Sequence, residues 1–544
     1  MTAARSGRIW GSLDPFFEAG PIIGRRVANA GFLEALLAAD PFDAYHFFLL
    51  DTGAGNALLD RIRALCPAIL PKVRVLPRVA LPMALAETDY HCFHLSDCLT
   101  SSGWLAALRN RVARSVFPIT GVTHSLSYAR YGSAFAQHVW PGATRRDCIV
   151  ATSRAGEAVV RAELEYLRAW SPLARLPSVA RVPLGVRCRD YESVPPCPDL
   201  PPAATVFLVL GRISPYSKMD LVPLLRAFQR LAGSGVDLST ACLVLAGGSN
   251  ESQGLPGTLT NLAANIGLRL VVVTEPDEAA KRALLCRADV VLSLADNPQE
   301  TFGLTLLEAQ ASGTPVIASD YDGYRDLVLD GQTGFLVPTV DSGADPLIPL
   351  MAPLLYDTTY HLWLAQDVAV DVAALSRRIA DLLDPGMRTR MGRAAREWAR
   401  HFDWSEIIGR YVALWAESWA HDVPAGQDWR HPLALDHARL FAGHASARLG
   451  AGDGLRTTPL GWAVLRGRDY PVLHAGLGDR IDMELMRAIL VWARRGIVWG
   501  ALLDRAGTAG RERARATAMW MLKGDMLERM PAGDAADRSQ ELSD

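Results

Sequence analysis

Short runs of β-branched and aromatic residues alternate with longer helical patterns along most of this chain, and no other feature restricts its fold so much. Residues 45–51, 73–78, 90–95, 117–124, 148–153 and 178–185 each read as a strand followed by a helix-length interval. Strands at that spacing predict a parallel sheet covered by helices on both faces. The series stops at Pro183-Leu184-Gly185 and a proline-rich stretch over 194–202, which can continue neither a helix nor a central strand. That stretch is the expected linker between two domains.

A second series follows, with strands expected at 206–210, 242–246, 270–274, 290–294, 315–319 and 334–337. Ser217 with Asp220 three residues on is the expected N-cap of its first helix, whose apolar face is Leu221, Leu224, Leu225, Phe228 and Leu231. Asp277 caps a later helix, and Gly313 with Pro315 ends the one beginning near Gly303. Two Rossmann-like domains in tandem account for the pattern, with a ligand expected at the strands' carboxyl ends. The expected boundaries are 1–186 for the first domain, 187–203 for the linker and 204–402 for the second domain. A proline-rich insertion near 340–385 should pack on the surface of the second domain. A helix over 403–424 crosses back, 425–530 is mainly helical, and 531–544 is an acidic tail expected to be disordered.

Composition removes several classes. Half the 544 residues are hydrophobic and 21% are charged, enough for more than one core. Lys+Arg 56 against Asp+Glu 58 leaves a net charge of −2 and no bulk-charge case for nucleic acid. The eight cysteines form no C-x-x-C pair, so neither a disulfide framework nor a zinc ribbon is expected. The start lacks the apolar stretch of a secretory signal and no run is long enough to span a bilayer, so a cytoplasmic protein is expected.

Two segments carry the chemistry. In 297–313, Glu300 falls in a loop after a strand and Glu308 on the following helix, eight positions later. A helix starting at Gly303 exposes free N–H groups and the positive end of its dipole, where a phosphate can bind. Two carboxylates on either side can accept hydrogen bonds from hydroxyl groups. Taken alone, the same residues are as well read as a loop charge and a solvated helix residue. In 211–218, Gly211 permits a turn at a strand end, and Arg212 with Lys218 puts two cations near another helix start. Alone, these are equally a surface salt-bridge pair.

Together, Gly211-Arg212-x5-Lys218 and the Glu300-x7-Glu308 pattern running into Gly313-Thr314-Pro315-Val316-Ile317-Ala318 resemble the retaining family 4 glycosyltransferases of the GT-B fold. Residues 320–337 continue the likeness, which is dense over 205–340 and thinner before it. Val182-Pro183-Leu184-Gly185-Val186 is similar to the family's interdomain segment, with Arg187 where an Asp is common. His91 and His94 resemble its strand-end histidines, Thr123-His124-Ser125 its sugar-facing histidine, and the segment around Gly24 its first glycine-containing loop. Nothing recognised covers 425–544.

The resemblance implies an α/β protein of the GT-B fold, two Rossmann-like parallel-sheet domains facing a cleft; beyond it the residues themselves read as a further mainly helical C-terminal region. It implies a hexosyl transfer from a nucleotide-diphospho-sugar, a UDP-sugar first of all, to a glycan or lipid-linked saccharide acceptor. Under it Glu308 holds the ribose, and Arg212, Lys218 and the Gly303 and Leu304 amides carry the diphosphate, with Phe302 beside them. Glu300 orients the sugar, His124 faces it near C6, and Gly24 contacts a substrate. Cations meet the leaving group in place of a metal, so no metal and no cofactor are expected.

Two other readings remain beside it: a non-catalytic binding or scaffold protein on a GT-B frame, and a sugar phosphorylase, which would not need Glu308 for ribose. The first 185 residues carry 20 Arg/Lys against 14 Asp/Glu, and residues 104–114 read either as a basic helix on the inner membrane face or as an ordinary domain helix. The oligomeric state has no signature in the sequence.

Overall fold

The computed structural model describes residues 8–530 apart from 19, 21–23, 193–199, 201–203, 249–253, 344, 356 and 424–429. The expected tail at 531–544, and most of the expected linker and the stretch joining 423 to 430, therefore lie outside the described residues. The chain forms two compact units, 1–433 and 434–544.

The first unit holds two all-parallel sheets. β1 (Ile9–Ser12), β2 (Ala44–Leu49), β3 (Val73–Pro77), β4 (Tyr90–Leu95), β5 (Ile119–Val122), β6 (Asp147–Ala151) and β7 (Ser178–Arg181) lie in the order 3-2-1-4-5-6-7. β8 (Thr205–Leu210), β9 (Ala241–Gly247), β10 (Arg269–Thr274), β11 (Val290–Ser293), β12 (Val316–Ser319) and β13 (Gly334–Val337) lie in the order 10-9-8-11-12-13. Both orders reverse direction beside the first strand of the series, and a doubly wound sheet opens its crevice there. This is the GT-B arrangement. Every residue of β6 and of β9 is buried, as a strand covered on both faces requires. β1 escaped the sequence reading because it is short and contains Gly11, whose missing side chain makes room for the Phe93 ring.

Some local expectations fail for identifiable reasons. The first helix of the second domain spans Val222–Gly233 and Ser217 lies in the preceding turn; Asp220 instead accepts from the Val222 amide at 2.9 Å. Asp277 does cap Glu278–Arg287, accepting from the Ala280 amide. Residues 340–385 are not merely a surface insertion. β14 (Thr339–Asp341) and β15 (Val368–Val370) form an antiparallel pair, and the helix Val372–Asp381 buries Leu375 and Ile379 in the second domain's core. Between the paired strands, Tyr360 and His361 reach the first domain: the Tyr360 hydroxyl donates to the Ser127 carbonyl at 3.0 Å, and His361 Nε2 lies 2.9 Å from Ser127 Oγ.

The two domains are joined by two crossings that pair with each other. The Val186 amide donates to the Phe402 carbonyl at 2.9 Å, and the Trp404 amide donates to the Val186 carbonyl at 3.1 Å. Trp404 then opens the helix Trp404–Ser418, which buries Ile407, Ile408, Tyr411 and Trp415 in the core of the first domain. Gly185 is required where the crossings meet, because a Cβ there would lie 2.4 Å from the Trp404 ring.

The helix Ser102–Val112, which holds most of the 104–114 segment weighed for a membrane, is part of the first domain's body. Arg109 is fully buried and donates to Asp147 Oδ1 at 2.7 Å and to the Phe117 carbonyl at 2.6 Å, so its charge is spent inside. Among the described residues no helix is long and apolar enough to cross a membrane.

In the second unit, β16 (Gly454–Thr457) pairs antiparallel with β17 (Ile497–Val498) and β18 (Leu527–Arg529). The helices Met483–Trp492, Trp499–Arg505 and Gly507–Lys523 close over it, burying Ile489, Leu502, Ala518 and Met521.

Candidate active site

The candidate residues come from loops at the carboxyl ends of the strands. Glu300 follows β11 and is held by Lys218, which follows β8; their side chains form an ion pair with each partner almost wholly enclosed. Burial pushes the Glu300 pKa up, but the Lys218 charge and hydrogen bond, with the Phe302 and Thr301 amides, outweigh it and leave the carboxyl below its ordinary value. Lys218 mirrors this: burial lowers it, Glu300 raises it, and the net shift is upward. The buried Tyr324 hydroxyl stands 3.5 Å from Glu300 Oε2 and 2.6 Å from Ser293 Oγ.

Gly303 caps the helix Leu304–Ser312 with φ +102, in the left-handed region, and a Cβ there would lie 2.5 Å from the Tyr324 ring. Only glycine satisfies both constraints. The helix start is thereby pressed against Tyr324, and its first amides have no partner within the helix. Phe302 is 2% exposed and belongs to the core beneath rather than to an open contact surface. Leu304 is partly exposed at the first helical position.

Glu308 lies on the same helix and is 4% exposed. Its Oε1 accepts from Lys281 Nζ at 2.7 Å. Burial raises the Glu308 pKa, and Lys281 and the Tyr191 hydroxyl hold it back only in part. Arg212 differs from Lys218 in being exposed; it donates to the Ser217 carbonyl at 3.0 Å and to Gln299 Oε1 at 3.1 Å.

His124, after β5, donates from Nε2 to the Ser96 carbonyl at 2.8 Å, which leaves Nδ1 as an acceptor. Burial pushes its pKa down to about 4, so the ring is neutral. Its own carbonyl accepts from Thr301 Oγ1 at 2.8 Å, so the loop carrying Glu300 touches the backbone of His124. His124 lines a cavity of about 470 Å³ with Arg25, Asp97, Trp104, Arg130 and Tyr131. Gly24 is exposed and opens the helix Gly24–Ala39, one residue before Arg25.

Thus the structure brings Lys218, Glu300, Gly303 and the backbone of His124 together and sets Arg212 at their edge. The sequence reading missed Thr301, Tyr324, Gln299 and Lys281. Gln299 and Thr301 sit inside the 297–313 segment and Tyr324 inside 320–337 without being singled out, and Lys281 left only its place three residues after Glu278 on one helix face. His91 and His94 do not share a site. His94 is buried with Nδ1 2.8 Å from Thr120 Oγ1, while His91 is the extra residue where β4 shifts register against Ile9 and Trp10, and its ring meets Phe42 and Trp419. Among the described residues no three His, Cys, Asp or Glu side chains could hold a metal ion.

The fold is GT-B, and the likeness to known sequences gives the class, a glycosyltransferase. Residues 198–345 match the family model described as glycosyl transferases group 1. A D-inositol 3-phosphate glycosyltransferase of Acidothermus cellulolyticus is 28% identical over 343 residues, covering 60% of this chain and 68% of the relative. One of the same description from Streptomyces avermitilis is 35% identical over 209 residues, 38% of each chain. A phosphatidyl-myo-inositol mannosyltransferase of Mycobacterium leprae is 30% identical over 190 residues, 34% of this chain and 48% of the relative. The last two alignments thus take in less than half of those relatives' length. A crystal structure of a glycosyltransferase from Rickettsia africae superposes over 77% of this chain and 100% of its own, with a TM-score of 0.51 and 14% identity.

Proposed function

We propose that this protein transfers a hexosyl group from a nucleotide-diphospho-sugar, in the first instance a UDP-sugar, to a hydroxyl of a saccharide or lipid-linked acceptor, with retention of anomeric configuration. The observation that carries the reading is the Lys218–Glu300 pair set against the start of the helix Leu304–Ser312. It puts a cation, a dipole end and a carboxylate within one small space. When the sugar–phosphate bond breaks, negative charge gathers on the diphosphate. Lys218, Arg212 and the amides of Gly303 and Leu304 take it up in this reading, and stabilisation of this kind is usually the largest catalytic contribution.

Glu300, kept ionised by Lys218, accepts hydrogen bonds from sugar hydroxyls. Neutral His124 offers Nδ1 as an acceptor to the hydroxyl at C6 and stabilises the anomeric centre through its ring dipole instead of a positive charge. Glu308 accepts from the ribose hydroxyls. The acceptor enters through the cavity that His124 shares with Arg25 and Trp104. Transfer needs no metal in this scheme, and the protein acts at the cytoplasmic face.

Thermal shift with UDP-, GDP- and ADP-sugars tests the donor: a ligand at 100 times its Kd stabilises by about 2.7 kcal/mol. Stabilisation by one of these, with transfer that survives a chelator, is expected. No shift with any of them would overturn the reading in favour of a binding protein on the same frame.

A further inference from the structure

Glu308 is the carboxylate to which the proposed function gives the ribose, yet it lies almost without access to water and inside an ion pair. Lys281, from the helix Glu278–Arg287, is 7% exposed and places Nζ 2.7 Å from Glu308 Oε1 and 3.3 Å from Glu278 Oε2. Tyr191, on the turn Cys188–Tyr191 that follows the first interdomain crossing, is also buried and lies against Glu308.

A carboxylate enclosed in this way loses its hydration, and the neutral acid becomes the preferred form unless a cation is fixed beside it. A neutral Glu308 would carry a proton on one oxygen and lose much of its strength as an acceptor of ribose hydroxyls. We infer that Lys281 is a positioning residue for nucleoside recognition: by binding Oε1 it keeps Glu308 ionised and turns the other oxygen toward the ribose. This rests on the proposed function above, which assigns Glu308 its ligand.

The groups around Glu308 support the assignment. Glu278 and the phenol of Tyr191 are the other titratable groups facing it, Arg282 acts at Tyr191, and Arg396 of the neighbouring helix is occupied at the far end with the Ser312 carbonyl. Lys281 is therefore the one cation within hydrogen-bond distance of Glu308 among the described residues. Lys281 pulls the Glu308 pKa back down against the upward push of burial, so without it the carboxyl moves further toward its protonated form. The affinity for nucleotide should then fall as pH falls.

The test is isothermal titration of the full chain with UDP, GDP and ADP, and with the 2′,3′-dideoxy form of whichever binds, at pH 6.0, 7.5 and 8.5. Wild type should prefer the ribonucleotide about tenfold or more at every pH. Lys281→Met should lose most of that preference at pH 6.0 and regain part of it at pH 8.5, and Lys281→Arg should restore it. Lys281→Gln, which keeps a donor without the charge, replaces Lys281→Met if that variant does not fold. A folded, uncharged variant with wild-type preference at all three pH values would overturn the inference, as would a wild type that binds but ignores the ribose hydroxyls. A wild type that binds none of the three diphosphates would instead overturn the proposed function itself.

Discussion

Lys218 and Glu300, brought together from the ends of β8 and β11, are ion-paired with side chains only 13% and 16% exposed. Each therefore sets the charge of the other, and neither can be removed without leaving a buried, uncompensated partner. Under the proposed function a diphosphate shares Lys218 with Glu300, which makes donor binding and the orientation of Glu300 one event.

Lys218→Ala should lower turnover about a hundredfold or more, since it removes leaving-group stabilisation and also leaves Glu300 inclined to protonate. Exposed Arg212, engaged with Gln299, can swing to a phosphate at less cost, and Arg212→Ala should also lower turnover. Steady-state rates on folded protein check this; wild-type turnover in both variants would refute the diphosphate assignment.

The two glutamates should separate kinetically. Glu300→Gln acts where sugar and diphosphate meet and should mainly lower kcat, while Glu308→Gln weakens an interaction alike in ground and transition states and should mainly raise donor KM. NMR of fresh product should show the donor's anomeric configuration retained in every variant that turns over.

Because His124 titrates near pH 4 and is neutral above it, the rate should show no inflection attributable to it between pH 6 and 8. His124→Asn, which keeps an acceptor without a titrating ring, should leave the shape of the pH profile in that window unchanged. An ionisation near pH 6.5 that vanishes in His124→Asn would contradict the assignment.

Asp296 is 3% exposed, has Oδ1 without a partner, and is pushed up to about 7 by burial. Its folded pKa lies above the unfolded value, so the folded state binds the extra proton between about pH 4 and 7 and stability falls as pH rises through that window. Asp296→Asn removes this dependence. The melting temperature of the variant relative to wild type should rise from pH 5.5 to pH 8.5, by about a degree or more.

Arg109→Met should be severe for a different reason, because it strands Asp147 in the core. A loss of about 3–5 kcal/mol is expected, measured by denaturant unfolding.

Nearly the whole strand inventory of both sheets was legible, because central parallel strands are continuous apolar runs and their periodicity needs no partner to be seen. β1 was not, being four residues long with a glycine inside. The positions of Glu300, Glu308 and Gly303 after β11 were legible from spacing. Lys218 was legible as a site residue but its pairing with Glu300 was not, nor was Lys281: the pairs stand 82 and 27 positions apart, and no local pattern marks a pair closed by tertiary structure. The Arg109–Asp147 pair was invisible for the same reason, since a basic helix face in sequence does not announce a buried aspartate on another strand.

The helix that begins at Trp404 has a consequence for synthesis. It supplies Trp404, Ile407, Ile408, Tyr411 and Trp415 to a core whose other buried members lie before residue 183. A ribosome emits the whole second domain before it emits that helix, so the first domain waits, with an apolar seam open, while its neighbour is made and folds. A stop or stall anywhere between 186 and 404 thus yields two defects at once, an unfinished second domain and an unsealed first, and both present aggregation-prone surface to the cell's quality control.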